Sequence, residues 1–133
     1  MSVSQHGLAW AIENEIASLT GLHEIDVNLN LQKTDLDSNT KLHLFRIFQE
    51  CLNNAIKHSN ADQIDVSLRQ TNRSVMMEIR DNGIGYNAES LKNTRDGLGL
   101  INLRERAELI GARLSIDSNR TNGTCIQVNT QLP

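Results

Sequence analysis

A single proline in 133 residues, 8 glycines, 38% hydrophobic and 22% charged residues together exclude a disordered or low-complexity chain. Aromatics are scarce, at 3%, which leaves few platforms for stacking bases, and a formal net charge of -3 withholds the basic field that phosphate backbones attract. Nucleic acid is therefore excluded as a partner. There are only two cysteines, Cys51 and Cys125, with no CxxC and no Cys/His cluster. Both fall among apolar neighbours, so reduced, core-like, cytosolic thiols are expected and not a metal site or disulfide. No apolar run approaches the ~18 residues of a membrane span, and the N-terminus lacks the basic start and apolar run of a signal peptide. The domain itself is thus expected to make no membrane contact. The GxxxxGK[ST] phosphate loop is also missing. The stretch Gly97-Leu98-Gly99-Leu100-Ile101-Asn102 lacks the third glycine of a dinucleotide fingerprint and follows a loop.

What is present centres on residues 75 to 100. Val75, Met77 and Ile79 alternate with Met76, Glu78 and Arg80 in the period of a half-buried strand, which must stop at Asp81-Asn82-Gly83. Asp81 then sits at a strand end, facing the space beyond the sheet. Gly83 and Gly85 remove two Cβ atoms, permit positive φ and let a flat ligand approach the backbone. Gly97 and Gly99 come just before a helix-like run, where free N–H groups and the positive dipole end favour an anion. A carboxylate for a base edge and a cradle for phosphate suggest a nucleotide. Taken alone, Asp81-Asn82-Gly83 would be a plain hairpin turn.

The rest of the chain reads as one domain over residues 1–133, with 1–7 unpatterned. Leu8, Ile12, Ile16 and Leu19 mark a first helix that ends at Thr20-Gly21, and Glu24 to Leu31 alternates as a strand. Asp35 to Thr40 reads as a polar linker, and Lys41 to His58 as the longest helix. Within that helix Leu44, Phe45, Phe48, Cys51, Leu52, Ala55 and Ile56 share an arc of roughly 140°. Glu50, Asn54 and Lys57 share a stripe on the other side, which alone would be a solvated face. Ile64 to Leu68 and Val75 to Arg80 are expected to form a hairpin about Thr71-Asn72-Arg73. Tyr86 to Arg95 is a polar surface loop, Leu100 to Ile110 a helix ending at Gly111, and Leu114 to Asp117 and Cys125 to Thr130 the last strands. The expectation is an α/β two-layer sandwich, with a mixed sheet of about five strands covered on one face by three helices.

The conjunction of these segments resembles the GHKL ATPase superfamily, and within it the ATP-binding catalytic domain of sensor histidine kinases, a Bergerat fold. Gln49-Glu50-Cys51-Leu52-Asn53-Asn54-Ala55-Ile56-Lys57-His58-Ser59 is similar to its N box, Asp81-Asn82-Gly83-Ile84-Gly85 to its G1 box and Gly97-Leu98-Gly99-Leu100 to its G2 box. Asn102-Leu103-Arg104-Glu105-Arg106-Ala107, Asn122-Gly123-Thr124 and the closing Leu132-Pro133 further resemble the NarL/DesK-like subfamily. The resemblance implies ATP and Mg²⁺ as cofactors. It makes Asp81 the acceptor for the adenine amino group, Asn54 the protein ligand of Mg²⁺ and Lys57 an offset to phosphate charge. Gly83 and Gly85 belong to the nucleotide pocket, Gly97, Leu98, Gly99 and Leu100 to the phosphate passage, and Thr124 supports the adenine pocket. Glu50 either activates water or orients the metal's hydration shell, and His58 either lies near the nucleotide or merely ends its helix.

Three departures from the pattern stand out. The lid, about residues 86–97, is short and has no phenylalanine. Ala112 stands where the subfamily commonly has a second glycine. No phosphoacceptor helix precedes the domain, since His23-Glu24 imitates its His-acid pair but lies between Gly21 and a strand. The function implied is transfer of the ATP γ-phosphate to a histidine on a separate dimerisation domain, with a response regulator downstream. The setting is cytoplasmic, and the parent protein is free to be anchored in the inner membrane. An anti-sigma-factor-type serine kinase shares these boxes and remains a rival, as does a non-catalytic ATP-binding module. Gyrase-like and Hsp90-like ATPases carry large additional domains and are disfavoured.

Overall fold

The computed structural model describes residues 7–20, 25–57, 61–83, 95–119 and 123–132. In chain order the elements are α1 (Leu8–Thr20), β1 (Asp26–Leu31), α2 (Ser38–Lys57), β2 (Gln63–Gln70), β3 (Ser74–Asp81), α3 (Arg95–Leu109), β4 (Arg113–Asn119) and β5 (Gly123–Gln131). The five strands form one sheet in the order β1-β2-β3-β5-β4. β1 pairs parallel with β2, and the other neighbours pair antiparallel, so the sheet is mixed as expected. The parallel pair requires a crossover, which α2 supplies.

Alternation along the strands decides which face is covered. Ile64, Val66 and Leu68 of β2, Val75, Met77 and Ile79 of β3, and Ile126 and Val128 of β5 are buried against Leu8, Ile12, Ile16, Leu44, Ile47, Phe48, Leu52 and Leu103 of the helices. Their intervening neighbours, among them Asp65, Ser67, Glu78, Arg80 and Gln127, face the other way. Burying this apolar set is the main driving force for the sandwich, at about 25 cal/mol per Å² removed from water. Ile47, absent from the expected arc of α2, is fully buried.

Cys125 departs from its expected core position. Because Thr124, Ile126, Val128 and Thr130 take the helix side of β5, Cys125 must face the open side. There its thiol donates to Glu78 Oε1 at 3.2 Å, beside an Arg80–Glu78 ion pair at 3.0 Å. Burial and the Glu78 carboxylate push the Cys125 thiol up. Burial alone would raise Glu78 as well, but the thiol and guanidinium hydrogen bonds outweigh it and hold Glu78 below the usual carboxylate range. Both cysteines are free, and Cys51 is buried as expected.

The polar linker ends earlier than its composition suggests. Ser38, Asn39 and Thr40 already belong to α2, because Asp37 Oδ1 accepts the Thr40 N–H at 2.8 Å and caps the helix. Hydrogen bonds from Thr40, first from its side chain and then from this N–H, hold the Asp37 pKa below its ordinary value. Their stabilising contribution is therefore present above the unfolded-state pKa and lost as pH falls through the lower folded-state value. Asp37→Ala should lower the melting temperature at pH 7 and flatten its dependence on pH below about 4. A melting profile identical to wild type at both pH values would remove the cap.

At the other end of the helical layer, Ala112 N–H donates to Ala107 O at 2.8 Å and Gly111 N–H to Glu108 O at 3.0 Å. With Gly111 at φ 66° this is a Schellman closure, which places the end of α3 where Gly111 predicts it.

Candidate functional site

β3 ends on Asp81, and the topology removes the hairpin reading of Asp81-Asn82-Gly83. The next strand in sequence, β4, lies beyond β5 and does not pair with β3. Asp81 instead closes the central strand, directly opposite Thr124 of β5. Asp81 and Thr124 are 7% and 4% exposed. Two of the three buried polar or charged residues among the described ones thus face each other at one end of the sheet. Burying a carboxylate costs several kcal/mol unless hydrogen bonds compensate, so its position there demands polar partners. One is the Gly83 N–H, donated to Asp81 Oδ1 at 2.9 Å. Thr124 Oγ1 shares a hydrogen bond of 2.7 Å with Ser118 Oγ of β4, which fixes its rotamer from the side away from Asp81.

Two neighbours to which sequence reasoning gave no site role hold this corner. Asn82 Oδ1 accepts the N–H groups of Asp62 and Gln63 at 3.1 and 3.0 Å, and its Nδ2 donates to Asp62 Oδ1 at 2.6 Å. The side chain thereby ties the β3 end to the start of β2. Gly123 carries the positive φ here, +81°, and a Cβ at that position would overlap the Asp81 carbonyl and come within 3.0 Å of Gly83 N. The close approach of two backbones demands glycine at 123. The Asn122-Gly123-Thr124 signal was visible, but nothing in one sequence says that it lies against Asp81.

Above this corner runs α2. Cys51 is fully buried in its middle, and its thiol is pushed far up, first by burial and then by the negative charges of Glu50 and Asp81. That joint influence places the helix acid and the strand-end acid in one neighbourhood. Asn54 lies one turn beyond Glu50, and both are half-buried. Lys57 is the last residue of the helix. Of the stripe expected from the sequence, Glu50 and Asn54 are half-buried one turn apart on α2.

α3 begins at Arg95, earlier than the glycine pair suggested. Gly97 falls in the first turn, where its N–H has no intrahelical acceptor, while Gly99 already lies inside the hydrogen-bonded ladder together with Leu98 and Leu100. The donors without an intrahelical acceptor at this helix start are therefore those of residues 95 to 97. Gly85, His58, His23 and most of the expected lid, residues 84–94, lie outside the described residues.

This end of the fold combines a buried carboxylate, a close glycine backbone and a helix start, groups that could receive a base edge and an anion. Among the described residues, no three His, Cys, Asp or Glu side chains converge as a metal cage. A hard cation here would be held by Asn54 together with ligand oxygens and water, which suits Mg²⁺. These features define an ATP-binding domain of the two-layer α/β type.

The chain belongs to the family described as histidine kinase-, DNA gyrase B- and HSP90-like ATPases, which matches residues 39–133. Among relatives, it is 31% identical over 113 residues to the oxygen sensor histidine kinase NreB of Staphylococcus carnosus, covering 84% of this chain and 32% of that one. It is 40% identical over 90 residues to the sensor protein VraS of Staphylococcus aureus, covering 68% and 25% respectively. The chain therefore spans about a third or less of these curated relatives. In fold it is similar to the histidine kinase domain of the blue-light activated kinase of Erythrobacter litoralis EL346, with TM-score 0.80 at 19% identity over 94% of this chain and 61% of that one. It is also similar to the mycobacterial sensor histidine kinase MprB, with TM-score 0.70 at 19% identity over 92% of each chain. No described helix is long and apolar enough to cross a membrane.

Proposed function

We propose that the chain is the catalytic domain of a NarL/DesK-like two-component sensor kinase, which binds Mg-ATP and presents the γ-phosphate to a histidine on a separate dimerisation domain. The observation that carries this reading is the buried Asp81–Thr124 pair closing one end of the sheet, with the charges of Asp81 and Glu50 both acting on the buried Cys51 thiol of α2. Asp81 accepts from the adenine amino group, with Gly83 holding its other oxygen in place and Thr124 completing the pocket wall. Asn54 ligates Mg²⁺, Lys57 offsets phosphate charge and the first amides of α3 receive phosphate oxygens. Glu50 orients water on the metal or accepts a proton during transfer. The metal supplies charge neutralisation on the phosphates, and phosphoryl transfer otherwise depends on positioning. The downstream partner is a response regulator, and the relatives' names support this two-component setting.

The nucleotide half of this reading is tested by binding. Wild-type chain should favour ATP over GTP in the presence of Mg²⁺. Asp81→Asn should weaken ATP by about 1.5 to 3 kcal/mol, roughly ten- to a hundredfold, through loss of a charge-assisted hydrogen bond. Isothermal titration that finds equal ATP and GTP affinities in the wild type would sink the adenine assignment.

A further inference from the structure

Between α2 and α3 lies a groove of about 290 Å³, lined by Arg46, Gln49, Glu50 and Asn53 from one helix and Asn102 and Arg106 from the other. It shares Glu50 with the transfer stripe but is otherwise separate, since neither Asn54 nor Asp81 lines it. Arg46 Nη1 donates to Gln49 Oε1 at 2.8 Å, which holds the guanidinium along the helix surface, and its other donors meet no acceptor among the described residues. Among the described residues neither arginine has an ion-pair partner, the ion pair there being Arg80–Glu78 on the opposite face of the sheet. Two guanidiniums against one carboxylate make a local positive surplus on a chain whose net charge is -3. Such a patch recruits an anionic group, and arginine forks suit a carboxylate.

The nucleotide's own phosphates are poorly placed to be that group. They are received at the start of α3, and at 1.5 Å per residue Arg106 is about 14 Å along the helix from Gly97. The amides of Gln49, Asn53 and Asn102 around the arginines suit a protein surface. Resting on the kinase reading above, we propose that Arg46 and Arg106 clamp a carboxylate side chain of the protein that receives the phosphoryl group, seating that protein beside Glu50.

The test is titration of the chain, without nucleotide, against the histidine-bearing dimerisation segment of the full-length kinase. Binding should weaken with added salt and fall by about tenfold or more in the double variant Arg46→Glu, Arg106→Glu, while Mg-ATP affinity stays at the wild-type value. Reversing an acidic side chain of the segment to lysine should restore part of the loss. Unchanged binding in the double variant, absent wild-type binding, or a fall in Mg-ATP affinity overturns the clamp. The two readings separate cleanly. Arginine-dependent binding without labelling of the segment's histidine would sink the kinase reading and keep the clamp, whereas labelling with arginine-independent binding would do the reverse.

Discussion

Asn54→Ala should abolish phosphoryl transfer and leave the fold intact. Asn54 is half-buried on α2, one turn beyond Glu50, whereas the fully buried Phe48 and Leu52 that anchor the helix lie about 120° to 160° round from it. Removing a polar-face amide far from those anchors should change stability by no more than about 0.5 kcal/mol. Its role in the proposed site is different in kind. In the proposed site the amide would be the protein's own ligand to the metal, and losing a preorganised group that stabilises developing phosphate charge costs on the order of a hundredfold or more. The check is a transfer assay beside a thermal melt, with Mg²⁺ varied in both. A variant that unfolds would make Asn54 structural, and a folded variant with undiminished transfer would remove it from the metal.

Gly123→Ala should strike both stability and nucleotide binding from outside the pocket. A left-handed backbone costs an ordinary residue about 1 to 2 kcal/mol. Here the added Cβ also overlaps the Asp81 carbonyl and presses on Gly83 N. Both are backbone atoms that cannot swing away, so the strand end must shift. A total of roughly 2 to 4 kcal/mol is expected, a large fraction of the stability of a domain this size. Because the displaced residue is Asp81, ATP affinity should fall in any molecules that remain folded. Asn tolerates left-handed backbone better than Ala does, yet Gly123→Asn should be no milder, since the overlap comes from the Cβ. An Asn variant close to wild type would mean that φ, and not the contact, demands the glycine.

Much of this molecule was legible because its elements obey simple periods. The hairpin of β2 and β3 and the glycine closure of α3 follow from alternation and from one glycine at φ > 0. Asp81 was legible as a strand end because Asn82-Gly83 breaks an otherwise clean alternation. What escaped were relations across the chain. Cys125 sits among apolar letters, but the register of β5 with β3 sends it to the open face beside Glu78. Asn82 reads as a turn former, and only the fold shows it bound to Asp62 and Gln63, some 20 residues earlier. Gly97 and Gly99 read as a loop before a helix. The helix absorbs both, because glycine lowers helix propensity without forbidding a place near the first turn.

The central claim is that this domain hands a phosphoryl group to a histidine on another domain. Incubating the chain with Mg²⁺, γ-labelled ATP and a separately made histidine-bearing dimerisation domain tests it most directly. The account predicts acid-labile label on that domain, dependent on Asn54 and Asp81, and none on the chain's own His6, His23, His43 or His58. Acid-stable label on a serine-containing substrate, or stable self-labelling at His23, would contradict it.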